Sequence, residues 1–132
     1  MDLSDLTPKS DTIEVFLKHP ATDEILQNED GTEMSVTIYA PHSKEYRKAA
    51  LVQARNRLKG TNTEDFSDLD LEAFEETSFE LLVDVVKDWD ITYKKEKPAF
   101  SKKLAREIFR EVFWIKQQLE GAANDYLDFM KA

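Results

Sequence analysis

The sequence predicts an α+β domain, with a small antiparallel β-sheet of two or three strands near the N-terminus packed against three or four α-helices. Two observations support this class. Before residue 42 apolar residues alternate with polar ones, as in half-buried strands; beyond it they recur every three or four residues, as on one face of a helix. The chain has 132 residues, which suffices for one domain with its own core.

A β-hairpin region is predicted over residues 12–41. Its first strand places Ile13, Val15 and Leu17 on one face, and a second strand over 34–40 repeats the alternation until a proline. Such a small sheet is not stable alone, so helices must cover its apolar face. Residues 1–11, before the first strand, are predicted to be a flexible N-terminus.

Between these two strands, Ile25-Leu26-Gln27 is a candidate short strand and Asn28-Glu29-Asp30-Gly31 a tight turn. The Asp-Gly pair can supply the positive φ angles that such a turn needs. A calcium loop with Gly31 at its sixth place is excluded, because Leu26 would then be the first ligand and it carries no side-chain oxygen.

The first helix is predicted over residues 43–59, with Ser43 as N-cap and Gly60 at its end. Its apolar side comprises Tyr46, Ala50, Ala54 and Leu58. A second helix is predicted over residues 68–88. Its core side, extended to the next turn, comprises Leu71, Phe74, Leu81, Leu82, Val85 and Trp89. Its outer side is acidic, with Glu72, Glu75, Glu76 and Glu80. Like charges one turn apart on this side repel each other unless a basic surface lies opposite, and the basic first helix could supply one.

The last long helix is predicted over residues 101–120, beginning after Ser101. Its core stripe comprises Leu104, Ile108, Val112, Ile115 and Leu119. Further apolar residues, among them Phe113 and Trp114, widen this stripe beyond one packing face, which suggests a partner surface. Gly121 is expected to bend or stop the helix. Residues 122–130 then form a terminal helix or tail, whose aromatic residues are either docked on the core or offered to a partner.

Composition narrows the class of function. The chain has no cysteine, which excludes disulfides, cysteine-bound metals and thiol catalysis and fits a reducing cytoplasm. No secretory signal or membrane-spanning run is apparent, so a cytoplasmic location is expected. The net charge of −9 argues against nucleic-acid binding. The charge nevertheless alternates in blocks along the chain, which are either solvated faces or a complementary surface for a charged partner.

No catalytic or cofactor motif is present. The glycines form no phosphate-binding loop, and no Ser/His/Asp spacing suggests a nucleophile. His19 and His42 each adjoin a proline and are interpreted as loop residues. The carboxylates of the second helix lack the accompanying Glu-x-x-His of a bundle metal site. The chain is therefore predicted to be a non-enzyme without metal or cofactor.

The C-terminal half contains a series of landmarks in a fixed order: Val85-Val86-Lys87-Asp88-Trp89, then Pro98-Ala99-Phe100-Ser101 at a helix start, then Phe113-Trp114-Ile115-x-x-Gln118, and finally Asn124 with an aromatic end at Phe129. In this order the landmarks resemble those of the tail assembly chaperones of long-tailed, siphovirus-like bacteriophages. The upstream strand pair and Ala-rich basic helix also fit the family's β-then-α plan. The resemblance covers roughly residues 12–130, and it is carried by landmarks rather than by chemical groups.

The resemblance implies a factor that binds the tape-measure protein, keeps it soluble until the tail tube polymerises, and is absent from the mature virion. The expected partners are the tape-measure protein, a second copy of the chain and the tail tube protein as a further candidate; nucleic acid and membrane are not expected. Candidate contact residues are Phe113, Trp114, Tyr126, Phe129 and Met130. All five could instead belong to the core. The alternatives are an acidic DNA-mimic inhibitor, using the acidic block 61–90, and a small enzyme or subunit with a carboxylate-bound metal.

Overall fold

The computed structural model describes residues 2–6, 10–60 and 68–125, without the side chains of residues 5, 6, 56–60 and 68–74. A short 3-10 helix, Leu3–Leu6, precedes the domain's main elements. In chain order these are β1 (Thr12–Phe16), β2 (Ser35–Tyr39), α1 (Lys44–Gly60), α2 (Asp68–Val85), β3 (Val86–Asp90), α3 (Lys102–Glu111) and α4 (Trp114–Ala123). The predicted α+β class is thus confirmed.

The three strands form one antiparallel sheet in the order β1-β2-β3. Ile13 lies opposite Ile38 and Val15 opposite Val36, so the apolar residues of both predicted strands share one face. Side chains of α2, α3 and α4 pack on this face, and Leu17 joins them in the core. The alternation seen in the sequence is therefore the inside-outside alternation of the sheet.

The connection between β1 and β2 contains isolated bridges, Lys18 to Ile25 and Gln27 to Glu33, instead of the expected short strand. The tight turn is present. The N–H of Gly31 donates to the carbonyl of Asn28 over 2.9 Å, and only Gly31 of this turn has a positive φ, of 89°. One left-handed glycine following a turn of this kind matches the bulged hairpin loop rather than the two-residue Asp-Gly turn.

The prediction of one helix over residues 68–88 was wrong at its C-terminal end. α2 ends at Val85, and the next five residues form β3 beside β2. A shift in register between Thr37 and Ile38 gives β3 a bulge, so that Val86 and Trp89 both face the core although they are three residues apart. That spacing is helical, which explains why the sequence pattern extends the helix over a bulged strand.

The single helix predicted over residues 101–120 is two helices. α3 ends at Glu111, Val112 leaves the helical region at φ −105° and ψ 71°, and α4 begins at Trp114. We call Val112 and Phe113 the α3–α4 break. β-branched and aromatic residues follow one another there and have lower helix propensity than straight-chain residues. The break lets α3 pack on α2 while α4 also reaches β1 and β2.

The helix starts follow the sequence closely. The Ser43 hydroxyl accepts from the N–H of Tyr46 over 3.1 Å at the start of α1, and the Ser101 hydroxyl accepts from Leu104 over 3.1 Å at the start of α3. The predicted apolar side of α1 is only partly right, because Ala54 is exposed. The buried position nearby is taken by a polar residue, Gln53, whose side-chain amide donates to Asp84 over 2.9 Å.

The basic partners of Glu76 and Glu80 come from α3 rather than from α1, the source that the sequence offered. Arg110 pairs with Glu76 over 2.7 Å and Arg106 with Glu80 over 2.9 Å. The two helices run antiparallel at these contacts. Glu80 lies one turn after Glu76 on α2, and its partner Arg106 lies one turn before Arg110 on α3. The like-charge repulsion along α2 is therefore offset within the helix pair.

Several sequence-based assignments lie outside the described residues or side chains: the side chains of Leu58, Leu71, Glu72 and Phe74, and residues 126–130 of the predicted terminal segment. Gly121 does not end the last helix, which continues to Ala123. The terminal helix or tail was predicted to begin at residue 122, but residues 122 and 123 still belong to α4.

Candidate partner-binding surfaces

Apart from Leu3 in the short N-terminal 3-10 helix, large apolar side chains are exposed at three places around the described part of the domain. One is the α3–α4 break with Phe113, a second is α1 with Leu51 and Val52, and the third is the edge of the sheet with Phe16 and Ile25. Exposed apolar surface of this kind costs solubility unless a partner covers it, so each place is a candidate contact. The sequence analysis identified the first place only.

Of the five candidate contact residues, the structure describes two. Phe113 is 69% exposed, whereas Trp114 is half-buried against the core. The break explains this difference, because Phe113 lies just before α4 and outside the regular spacing of Ile115, Leu119 and Ala123, which are the buried residues of that helix. Tyr126, Phe129 and Met130 lie outside the described residues.

A basic turn is tied to α3 immediately before the break. The hydroxyl of Tyr93 donates to the carboxylate of Glu111, the last residue of α3. Tyr93 also bridges to Glu96 across a turn in which Lys94 and Lys95 have φ of 52° and 66°. Both lysines are exposed. An exposed basic turn is therefore attached to the last residue of α3, two positions before Phe113.

The third surface is a groove of about 730 Å³ along the outer edge of β1. Residues 12–16 form one wall, and the other consists of α4 residues, including Gly121 and Ala122. β1 is an edge strand, because β2 lies on its other side and β3 beyond that. An edge strand offers unpaired backbone groups that another extended segment can bind.

Side chains already bind the backbone at both ends of this edge. The Ser10 hydroxyl donates to the Thr12 carbonyl over 2.6 Å and accepts from the Thr12 N–H over 3.2 Å. At the other end, the Gln118 carboxamide accepts from the N–H of Lys18 over 2.9 Å and donates to its carbonyl over 2.7 Å. We call these contacts, Ser10 on Thr12 and Gln118 on Lys18, the two clamps. The outward-facing backbone groups of Glu14 and Phe16 lie between them.

An ionic network connects the turn after Asn28 to β3. The ammonium of Lys97 lies 2.7 Å from a carboxylate oxygen of Asp30 and 3.1 Å from one of Asp90. The hydrogen bond from Lys97, followed by those from Thr32, lowers the pKa of Asp30. The hydrogen bond to Asp30, followed by that to Asp90, raises the pKa of Lys97. The lysine thus bridges the two carboxylates.

Both histidines contact groups that are close to them in the fold. His19 accepts with Nδ1 from the backbone of Ala21 and Thr22 over 3.1 and 3.3 Å, and Nε2 of His42 lies 3.0 Å from Asp11. Within the described ranges, no three His, Asp or Glu side chains are grouped so that they could hold a metal ion. Within the same ranges no helix is long and apolar enough to cross a membrane.

Two of these three surfaces were missed because their signal is weak in a sequence. For the surface beside β1, the one indication in the sequence was Phe16, an apolar residue on the polar face of the strand. The clamp by Gln118 joins residues one hundred positions apart, and no local pattern predicts such a contact. Leu51 and Val52 are adjacent residues of α1, and periodicity alone does not decide which of them faces the core.

No protein-family model matches this sequence, and no curated protein or solved structure is significantly similar to it.

Proposed function

We propose that this chain is a phage tail assembly chaperone, which binds the tape-measure protein in the bacterial cytoplasm and keeps it soluble until the tail tube polymerises. The observation that carries the proposal is the exposed Phe113 at the α3–α4 break, beside half-buried Trp114. Tape-measure proteins are long helical chains with apolar stripes. A small acidic protein that lends an aromatic contact would mask such a stripe and add negative charge to the complex.

The residues behind the family resemblance support the proposal through their structural roles. Trp89 is buried and its indole N–H donates to the carbonyl of Pro98 over 2.9 Å, Ser101 caps α3, and Gln118 holds Lys18. These three landmarks thus stabilise the arrangement of β3, α3 and α4. The proposal treats the protein as a non-enzyme.

The DNA-mimic alternative requires a row of free carboxylates spaced like phosphates. In the described part of α2, Glu76 and Glu80 are instead paired with arginines of α3. The two hypotheses are separated by changing Glu72, Glu75, Glu76 and Glu80 to glutamine, which would abolish DNA mimicry and leave chaperoning nearly unchanged.

Co-expression with a cognate tape-measure protein tests the proposal. The chain should raise the soluble fraction of the tape-measure protein several-fold and co-purify with it, and it should be missing from finished virions. An unrelated acidic protein of similar size is the control for a general effect of charge. The absence of any effect in several matched pairs would contradict the proposal. The order of neighbouring genes, with a tail-tube gene before and a very long helical-protein gene after, is a second check.

A further inference from the structure

The outer edge of β1 contains a short window of unpaired backbone between its two clamps. The N–H of Ala40 donates to the carbonyl of Asp11, and that of Leu17 to the carbonyl of Met34. With Ile13 and Val15 opposite Ile38 and Val36, the odd-numbered residues of this segment hydrogen-bond toward β2. The even-numbered residues therefore direct their N–H and C=O groups outward.

Four even-numbered residues lie along this edge, and two of them are already engaged. Ser10 binds both backbone groups of Thr12, and Gln118 binds both groups of Lys18. Among the described residues nothing bonds to the outward N–H and C=O groups of Glu14 and Phe16. The window thus comprises two donors and two acceptors, arranged symmetrically about Val15.

We propose that this window binds the same window of a second copy of the chain, so that two β1 strands pair antiparallel about Val15 and join two sheets into one. In this register Glu14 of each copy lies opposite Phe16 of the other and exchanges two hydrogen bonds with it. Four bonds then satisfy all the open groups of both copies. If the register shifted by two residues, the free backbone groups of one strand would lie opposite groups of Thr12 or Lys18 that are already hydrogen-bonded. The two clamps therefore fix the register.

Side chains on the outer face support a second copy as the occupant. Phe16 is 40% exposed, and in this register it lies diagonally across from Phe16 of the second copy. The two diagonal neighbours of each Glu14 in the other copy are Lys18 and Glu14. The pair of strands therefore contains two attractive Glu14–Lys18 pairs and one repulsive Glu14–Glu14 pair. On the opposite wall of the groove, no atom lies within 4 Å of the place where Gly121 would carry a Cβ. The pairing would hold whichever protein the chain binds as a partner.

Single cysteines test both the association and its register, since the natural chain contains none. In the proposed pair the Cα atoms of the two Val15 residues lie about 4.5 Å apart, within reach of a disulfide. Those of the two Ile13 residues lie roughly 13 Å apart, because the register separates them by four positions. Under mild oxidation Val15→Cys should therefore cross-link into dimers and Ile13→Cys should not. Both variants replace a half-buried β-branched residue of the same strand, so each is the other's control for folding.

A proline variant tests the hydrogen bonds separately. Glu14→Pro removes an outward N–H, which an edge strand tolerates, while Glu14→Ala removes only the side chain. By sedimentation over a wide concentration range, the natural chain should dimerise, and Glu14→Pro should raise the dissociation constant at least tenfold more than Glu14→Ala. Circular dichroism checks that both variants remain folded.

Three results would overturn the proposal: a monomer at every concentration, equal cross-linking at positions 13 and 15, or equal effects of the two Glu14 variants. Amide hydrogen exchange gives a fourth test. The N–H groups of Glu14 and Phe16 should exchange quickly in dilute protein and slowly in concentrated protein. Slow exchange at every concentration would mean that the chain covers its own edge, and this too would overturn the pairing.

Discussion

The side-chain amide of Gln118 binds the backbone of Lys18 as a neighbouring strand would, with one bond of 2.9 Å to the Lys18 N–H and one of 2.7 Å to its carbonyl. This contact holds α4 against the end of β1. Removing both bonds with Gln118→Met should lower the free energy of unfolding by about 1 kcal/mol, because each bond is partly exposed to water. Exposed Gln117→Met is the matched control and should change it by less than about 0.5 kcal/mol. Urea denaturation measures both, and equal effects would show that the clamp adds no stability.

Phe113 should contribute to binding and little to folding. Because its side chain is mostly exposed, Phe113→Ala should change the free energy of unfolding by less than about 0.5 kcal/mol. As an aromatic anchor, its removal should weaken tape-measure binding about tenfold or more. Leu51→Ala, at an exposed apolar residue of α1, is the control. Calorimetric titration that finds the same affinity for both variants would exclude the α3–α4 break as the main contact.

Lys95 should be a site where glycine stabilises the protein. Its φ of 66° lies in the left-handed region, which costs an ordinary side chain roughly 1 kcal/mol and glycine very little. Lys95→Gly should therefore raise the free energy of unfolding by about 0.5 to 1 kcal/mol. Glu96→Gly, one residue further on, does not relieve a positive φ and should lower it. Thermal unfolding with no gain for Lys95→Gly would show that the turn is not strained at that residue.

The network around Lys97 should make the stability of the β1–β2 connection depend on pH. Because the pKa of Asp30 is lowered from 3.8 on folding, its contribution is complete above that value and is lost as the pH falls through the folded-state pKa. The raised pKa of Lys97 acts in the opposite direction, and its contribution is lost as the pH rises beyond 10.5. Asp30→Asn should therefore lose less stability than the natural chain on acidification below about pH 4. Identical acid profiles of the two proteins would contradict this.

Trp89 should be more sensitive to substitution than Trp114. Its indole donates to the Pro98 carbonyl and its ring meets Phe100 and Phe109 edge-on, with centroids 5.0 and 6.4 Å away. Trp89→Phe leaves a partly buried carbonyl without its donor and a small cavity, so it should cost about 2 kcal/mol. Half-buried Trp114→Phe should cost less than half as much. Guanidinium denaturation of the two variants provides the comparison.

Local patterns predicted those elements whose periodicity is undisturbed. β1 and β2 follow from alternation, and the starts of α1 and α3 follow from Ser43 and Ser101, because capping depends on a few adjacent residues. β3 was missed because its bulge gives Val86 and Trp89 a helical spacing. Only the pairing with β2, which is remote in sequence, distinguishes this strand from one more helical turn.

The candidate surfaces depend even more on long-range structure. The apolar stripe continues across the α3–α4 break, so periodicity predicts one helix and does not decide whether Phe113 or Trp114 is exposed. Which strand forms the edge of the sheet depends on the position of β3, and therefore the groove beside β1 could not be predicted. The sequence likewise does not decide that the carboxylates of α2 pair with α3, because α1 and α3 are both basic.

The order of strands also has a consequence for biosynthesis. The central strand β2 receives its second neighbour only after residues 40–85 have left the ribosome, since β3 begins at Val86. Until then one side of β2 is bare, and closing so long a connection is slow compared with forming a local hairpin. A nascent chain halted before Asp90 would therefore expose the unpaired backbone groups of β2 in the β1–β2 hairpin. Exposed strand edges of this kind promote aggregation.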